Sequence, residues 1–258
     1  MDNKPMNDTI LKQYRSFLKD TIRKHIDFSQ TDQHRGVGPP PIEKPPAPEA
    51  PKIDLASPRH WQGIGKIDLS EAISGRKSRR SYKNRPLSRD ELSYLLWATQ
   101  GIRRKIDRGH AYRTVPSAGC RHALETYLAV LNVQDLAPGI YRYLPLEHQI
   151  ILEKSETGLA ERLVAAVFGQ PYPGKAAVTF IWTAVPYRME WRYALAAHKL
   201  IALDAGHVCQ NLYLACEAIG AGTCAIAAYD QEAMDRLLGV DGDDEFTVYL
   251  AGVGKVKD

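Results

Sequence analysis

"LDAGHVCQNLYLACEAIGAGTCAIAAYD", Leu203 to Asp230, decides the fold. Together with the residues before it, from Met189, it carries Leu195, Leu200, Ile201, Val208, Leu212 and Leu214, which leave little of a helix surface polar and predict a core helix over Met189 to Ile219. Gly220 closes that helix. A strand from Thr223 to Ala228 follows, then a helix capped by Asp230 and ended at Gly239, then a strand from Phe246 to Val253. The glycines at 220 and 222 thus end a helix and enter a strand, the reverse of a dinucleotide fingerprint, so a Rossmann domain is excluded.

The preceding sequence supplies the partners of that helix. "ALETYLAVLNV" (123–133) reads as a strand, "GIYRYLP" and "HQIILEK" as a hairpin across Leu146-Glu147, and "AAVTFIWTAV" (176–185) as a central strand buried on both faces. Two short helices are marked by Asp68 with Glu71 and by Ser88 with Glu91, the second stopping at Gly101. The expected class is α+β, a mostly antiparallel sheet flanked by helices around a long core helix.

Three regions follow. Residues 66–258 form the folded domain, and 36–65, with "GVGPPPIEKPPAPEAP", read as an unpacked proline-rich connector. Residues 1–35 contain an amphipathic helix over 8–25, with Ile10, Leu11, Tyr14, Phe17, Leu18 and Ile22 on one side. The chain of 258 residues is 44% hydrophobic with a net charge of +4, too mild a charge to argue for nucleic acid. Four cysteines without a CxxC pair, a charged opening Met1-Asp2-Asn3-Lys4 and no membrane-length apolar run predict a reduced, cytoplasmic protein without membrane insertion.

Chemistry concentrates in a few places. "GRKSRRSY" (75–82) offers Arg76, Lys77, Ser78 and Arg80, a set suited to a phosphate dianion and equally to a solvated turn. Pro116, Ser117, Ala118 and Gly119 have small side chains and a backbone able to turn against a flat ligand, or simply to enter the next strand. Asp204, His207 and Asn211 share one helix face and read as a buried hydrogen-bond network rather than metal ligands, while Gln210 beside them can reach a ligand. Cys120 and His122, two apart, would share one face of a strand as lining. "GIRRKIDRGHAYR" (101–113) reads as a cationic loop.

These stretches, with "LSYLLWATQGI", "RTVPSAG", "APGIYRY" and "LAGVGK", resemble in order the nitroreductase superfamily of flavin enzymes, and particularly its SagB-type, thiazole/oxazole-dehydrogenase-like branch, from about Lys66 onward. The resemblance implies non-covalent FMN at the interface of an intertwined homodimer with a nitroreductase-like sandwich fold. It assigns Arg76, Lys77, Ser78 and Arg80 to the phosphate and ribityl chain, and Pro116 to Gly119 to the ring system from the other subunit. It places the backbone at Ala227 and Ala228 opposite the central ring and Lys255 near the phosphate. The implied activity is ping-pong hydride transfer from NADH or NADPH to a quinone, nitroaromatic or other small conjugated acceptor. Hydride chemistry on a flavin requires no acid–base side chain, and Tyr193 is the one candidate proton donor. Two alternatives stand beside this: a SagB-type dehydrogenase oxidising azoline heterocycles in a modified peptide, and a non-catalytic flavin-binding or partner-recruiting protein. Against the first, Arg192 precedes Tyr193 where the azoline-oxidising branch carries lysine, and arginine does not readily deprotonate.

Overall fold

Seven strands form one antiparallel sheet in the order β1-β6-β5-β4-β7-β9-β8 in a computed structural model that describes residues 8–58 and 60–256. They are β1 (Lys52–Asp54), β4 (Leu124–Val130), β5 (Gly139–Leu144), β6 (Gln149–Lys154), β7 (Val178–Ala184), β8 (Ala221–Ile226) and β9 (Phe246–Lys255). Every residue of β7 is buried, as its unbroken apolar run requires of a strand covered on both faces. Alternation then sorts its side chains. Phe180 and Trp182 face α3 (Arg89–Gln100) and α6 (Ala197–Glu217), through Leu92, Leu96, Val208 and Leu212. Ile181 faces α4 (Leu159–Ala166) and α7 (Gln231–Leu238), through Leu163, Met234 and Leu237.

The helix punctuation holds. Ser88 and Glu91 make a reciprocal capping box on α3, Asp68 accepts from Ser70 N at the start of α2 (Leu69–Gly75), Asp230 caps α7, and Gly239 ends α7 in the left-handed region. The long helix expected over Met189 to Ile219 is broken, however. A short α5 (Tyr187–Tyr193) is followed by a 3-10 turn at Ala194–Ala196, and only then by the 21 residues of α6. Ala194 carries the break at φ 45°, ψ −131°, a conformation that alanine adopts only when its surroundings impose it.

The proline-rich segment is not an unpacked connector. Ile42 is buried, Arg113 donates to Ile42 O (2.8 Å), Arg142 donates to Lys44 O (2.6 Å), and β1 pairs with β6 at the sheet edge. Before it, α1 (Asp8–Arg15) gives way to 3-10 turns at Ser16–Leu18 and Asp20–His25 in place of one helix over 8–25. None of these residues is buried. The expected cationic loop at 101–113 is a hairpin of β2 (Ile102–Lys105) and β3 (Ala111–Arg113). Among the described residues no helix is long and apolar enough to cross a membrane, and the four cysteines are free. The opening Met1-Asp2-Asn3-Lys4 lies outside the described residues.

Candidate functional site

The stretch after α2 is fixed to the open edge of the sheet. Ser78 bridges Thr223 of β8 in parallel, and Arg79 N donates to Thr223 O (2.9 Å). Gly222 makes this approach possible, since a Cβ there would lie 2.4 Å from Arg79 Cγ. Tyr82 Oη lies 2.9 Å from the carbonyls of Arg79 and Gly252 and anchors the far end. With the backbone held, the side chains of Lys77, Ser78 and Arg80 are exposed and that of Arg76 is half-buried.

None of these cations has a carboxylate partner among the described residues. The Arg76 guanidinium lies 5.3 Å from the Tyr213 ring centre and that of Arg80 5.8 Å from Tyr172. Tyr213 Oη accepts from Ala225 N and shares a hydrogen bond with Ser78 Oγ, both 3.0 Å. It thereby joins α6, β8 and the basic stretch. The sequence does not single out Tyr213, whose only sign is a phenol inside a largely apolar helix. Ala227 and Ala228 are exposed just beyond β8, and Gln210 is exposed on α6. Lys255 does not join this group. It is buried and its amine is spent on Glu91 of α3 and the carbonyl of Ile219.

The turn at Ser117–Gly119 lies elsewhere on α6. Ala118 N donates to Asp204 Oδ1 (3.3 Å), and burial pushes the Asp204 carboxyl above its ordinary range against the hydrogen bonds of Ser117 and Ala118. Asn211 donates to Ala98 O (2.9 Å), as expected of a structural network, whereas His207 is exposed. From Asp204 to Tyr213 is about 13 Å of helix and about two and a half turns, which sets the two side chains on opposite faces. The small-residue turn and the basic stretch therefore flank opposite sides of α6.

Backbone strain gathers at this turn. Gly119 (φ 56°), Cys120 (φ 59°) and His122 (φ 48°) occupy the left-handed region, so Cys120 and His122 do not lie in a strand as expected. A Cβ on Gly119 would stand 2.5 Å from Tyr193 Oη. Gly119→Ala should therefore destabilise the protein by roughly 1–3 kcal/mol through strain and collision, measured by thermal unfolding; an unchanged midpoint would contradict this.

Cys120 Sγ lies 3.7 Å from His122 Nε2, but this is no activated thiol. Burial pushes the thiol up, and desolvation, then Arg113, push His122 down to about 2. The unfolded imidazole takes up a proton near pH 6.5 that the folded one refuses. Stability should fall as pH drops below that value, by up to ~1.4 kcal/mol per unit, and His122→Gln should remove this part of the slope in urea unfolding at pH 7 and pH 5.

A donor set of two guanidiniums, an ammonium and a hydroxyl, all free of acids, has the chemistry of a phosphate site. Among the described residues no cluster of His, Cys, Asp or Glu is arranged to hold a metal. The model of the Nitroreductase family matches residues 73–255. A protein of Methanocaldococcus jannaschii, whose name places it with the nitroreductases, is 31% identical over 192 residues, 74% of this chain and 93% of its own. Among solved structures, a protein of Ralstonia eutropha JMP134, also named with the nitroreductases, superposes with a TM-score of 0.66 at 25% identity, over 80% of this chain and 90% of its own. The Escherichia coli microcin synthetase McbBCD complex with truncated pro-MccB17 gives 0.59 at 17% identity, over 100% of both chains. With the family model covering six of the seven strands of the sheet, α6 and the basic stretch alike, this chain belongs to the nitroreductase family.

Proposed function

We propose that the protein is an FMN-dependent oxidoreductase that passes hydride from NADH or NADPH to a quinone, nitroaromatic or other small conjugated acceptor. The observation that carries this is the cationic stretch on the β8 edge, whose side chains have no ion-pair partner among the described residues, with Ser78 held among the cations by Tyr213. Those residues fit FMN: Arg76, Lys77 and Arg80 would neutralise the phosphate, and the Ser78 hydroxyl would bond the phosphate or ribityl chain. When bound, FMN supplies the hydride relay between nicotinamide and acceptor. The protein orients the two reactants, excludes water and offsets charge, and Tyr193 Oη above Gly119 is the available proton donor.

A homodimer completes this reading. One chain presents the cationic grip and the Pro116–Gly119 turn on opposite sides of α6, so a single ligand would meet the grip of one subunit and the turn of the other. Leu195 in the 3-10 turn before α6 and Leu203 on α6, 60% and 51% exposed, are suited to covering by a second copy. Titration of purified protein with FMN should quench protein fluorescence to a stoichiometry of one per chain; absence of binding at micromolar FMN would overturn the proposal.

The second reading is a SagB-type dehydrogenase of azoline heterocycles in a modified peptide. What favours it is that the likeness in fold to the microcin synthetase complex covers 100% of both chains. Arg192, in place of a lysine base, weighs against it. Reduction of the bound flavin by an azoline peptide and not by a nicotinamide would decide for the dehydrogenase.

A further inference from the structure

Arg188, in the same short helix as Arg192 and Tyr193, is paired with Glu125 (2.5 Å). Arg121 and Arg192 have no carboxylate partner among the described residues. Arg121 is 2% exposed and gives its hydrogen bonds to neutral acceptors: Arg188 O (3.0 Å), Gly109 O (3.2 Å) and His110 Nε2 (2.8 Å). Asp107 reaches it only through His110, and one Nη of Arg121 is buried without a partner. Burial, and next the charge of Arg192, pull the Arg121 guanidinium down, so the two cations stand close enough to repel.

Arg192 is the accessible member. It is half-buried, its guanidinium is 5.5 Å from the centre of the Tyr193 ring, and its Nε lies 3.0 Å from the Cβ position above Gly119. The imposed backbone of Ala194 immediately follows the Arg192-Tyr193 pair. An uncompensated guanidinium beside a phenol and the bare backbone of Gly119 is suited to a planar anion, which it can meet with two parallel N–H donors.

We infer that Arg192 determines specificity by binding the carboxylate of the electron acceptor, so that the preferred acceptors are conjugated aromatic acids. Arg121 behind it supplies the positive field. The inference rests on the flavin reading above. For a nitro acid the step balances as one two-electron reduction: the nicotinamide gives up a hydride, which supplies two electrons and one proton, the solvent supplies the second proton, one oxygen of the nitro group leaves as water, and the nitroso acid remains.

The test pairs an acid with its neutral amide. In FMN-loaded protein, 4-nitrobenzoate should exceed 4-nitrobenzamide in kcat/KM by roughly tenfold or more, the range of a hydrogen bond to a charged group. Calorimetry should find benzoate binding tighter than benzamide by a similar factor. Arg192→Gln should bring both ratios to about 1, and Arg192→Lys should retain part of each. Ratios near 1 in the wild type, or wild-type ratios persisting in Arg192→Gln, would overturn the assignment. So would an Arg192→Gln protein that loses FMN affinity while keeping the ratios. Failure of both NADH and NADPH to reduce the bound FMN would instead overturn the flavin-reductase reading.

Discussion

Replacing Arg76 and Arg80 together by alanine should weaken FMN binding by two to four orders of magnitude. Each guanidinium is argued to make a charge-assisted hydrogen bond to the phosphate, worth roughly 1.5–3 kcal/mol, and nothing else nearby can substitute except Lys77. Among the described residues their side chains meet Tyr213 and Tyr172, through ring faces worth only about 0.5–1 kcal/mol at such accessible positions and, for Arg80, a hydrogen bond to the Tyr172 phenol. The thermal midpoint of the flavin-free protein should therefore barely move while the flavin dissociation constant rises steeply. Fluorescence titration of wild type and double variant, with unfolding as control, separates the two effects. Affinity within threefold of wild type would remove the grip from the cationic stretch.

Glu125→Ala should be the most damaging single change to stability, by roughly 3–5 kcal/mol. Glu125 is 2% exposed and its Oε1 accepts from Arg188 Nη2 (2.5 Å) and from Lys44 N (2.7 Å), while Arg142 lies at 3.8 Å. Removing it leaves the buried Arg188 without its counter-ion, Arg142 with Glu153 alone, and the amide of Lys44 without its acceptor, a penalty far larger than the net worth of the intact pair. For a chain of this size the midpoint should fall by on the order of 10 °C. The proline-rich segment should loosen as well, because Lys44 N is one of its ties to β4. Faster proteolysis within residues 36–51 would accompany the lower midpoint. A loss below ~1 kcal/mol would show that the network is solvated and not a buried anchor.

The features legible in the sequence are those written in neighbouring residues. The capping box at Ser88 and Glu91, the apolar run of β7 and the stop at Gly239 each state their structure within a few positions. β1 is three residues among prolines with only Ile53 half-buried, too short for any alternation to register. The break before α6 carries no glycine or proline; it falls on Ala194, whose conformation is imposed by tertiary packing. Residues tied across long separations were invisible for the same reason. Glu125 meets Lys44 and Arg188 from 81 and 63 positions away, and Tyr213 meets Ser78 from 135. The site shows the same division. Its basic stretch and small-residue turn stand out locally, whereas the engagement of Lys255 with Glu91 and the isolation of Arg192 emerge only when the chain is folded.

The most direct test of the flavin reading is an anaerobic visible spectrum of FMN-loaded protein before and after addition of NADH or NADPH, followed by a quinone or nitroaromatic. Bleaching by a nicotinamide and recovery on addition of the acceptor is the expected result. A flavin that stays oxidised with both nicotinamides would contradict it.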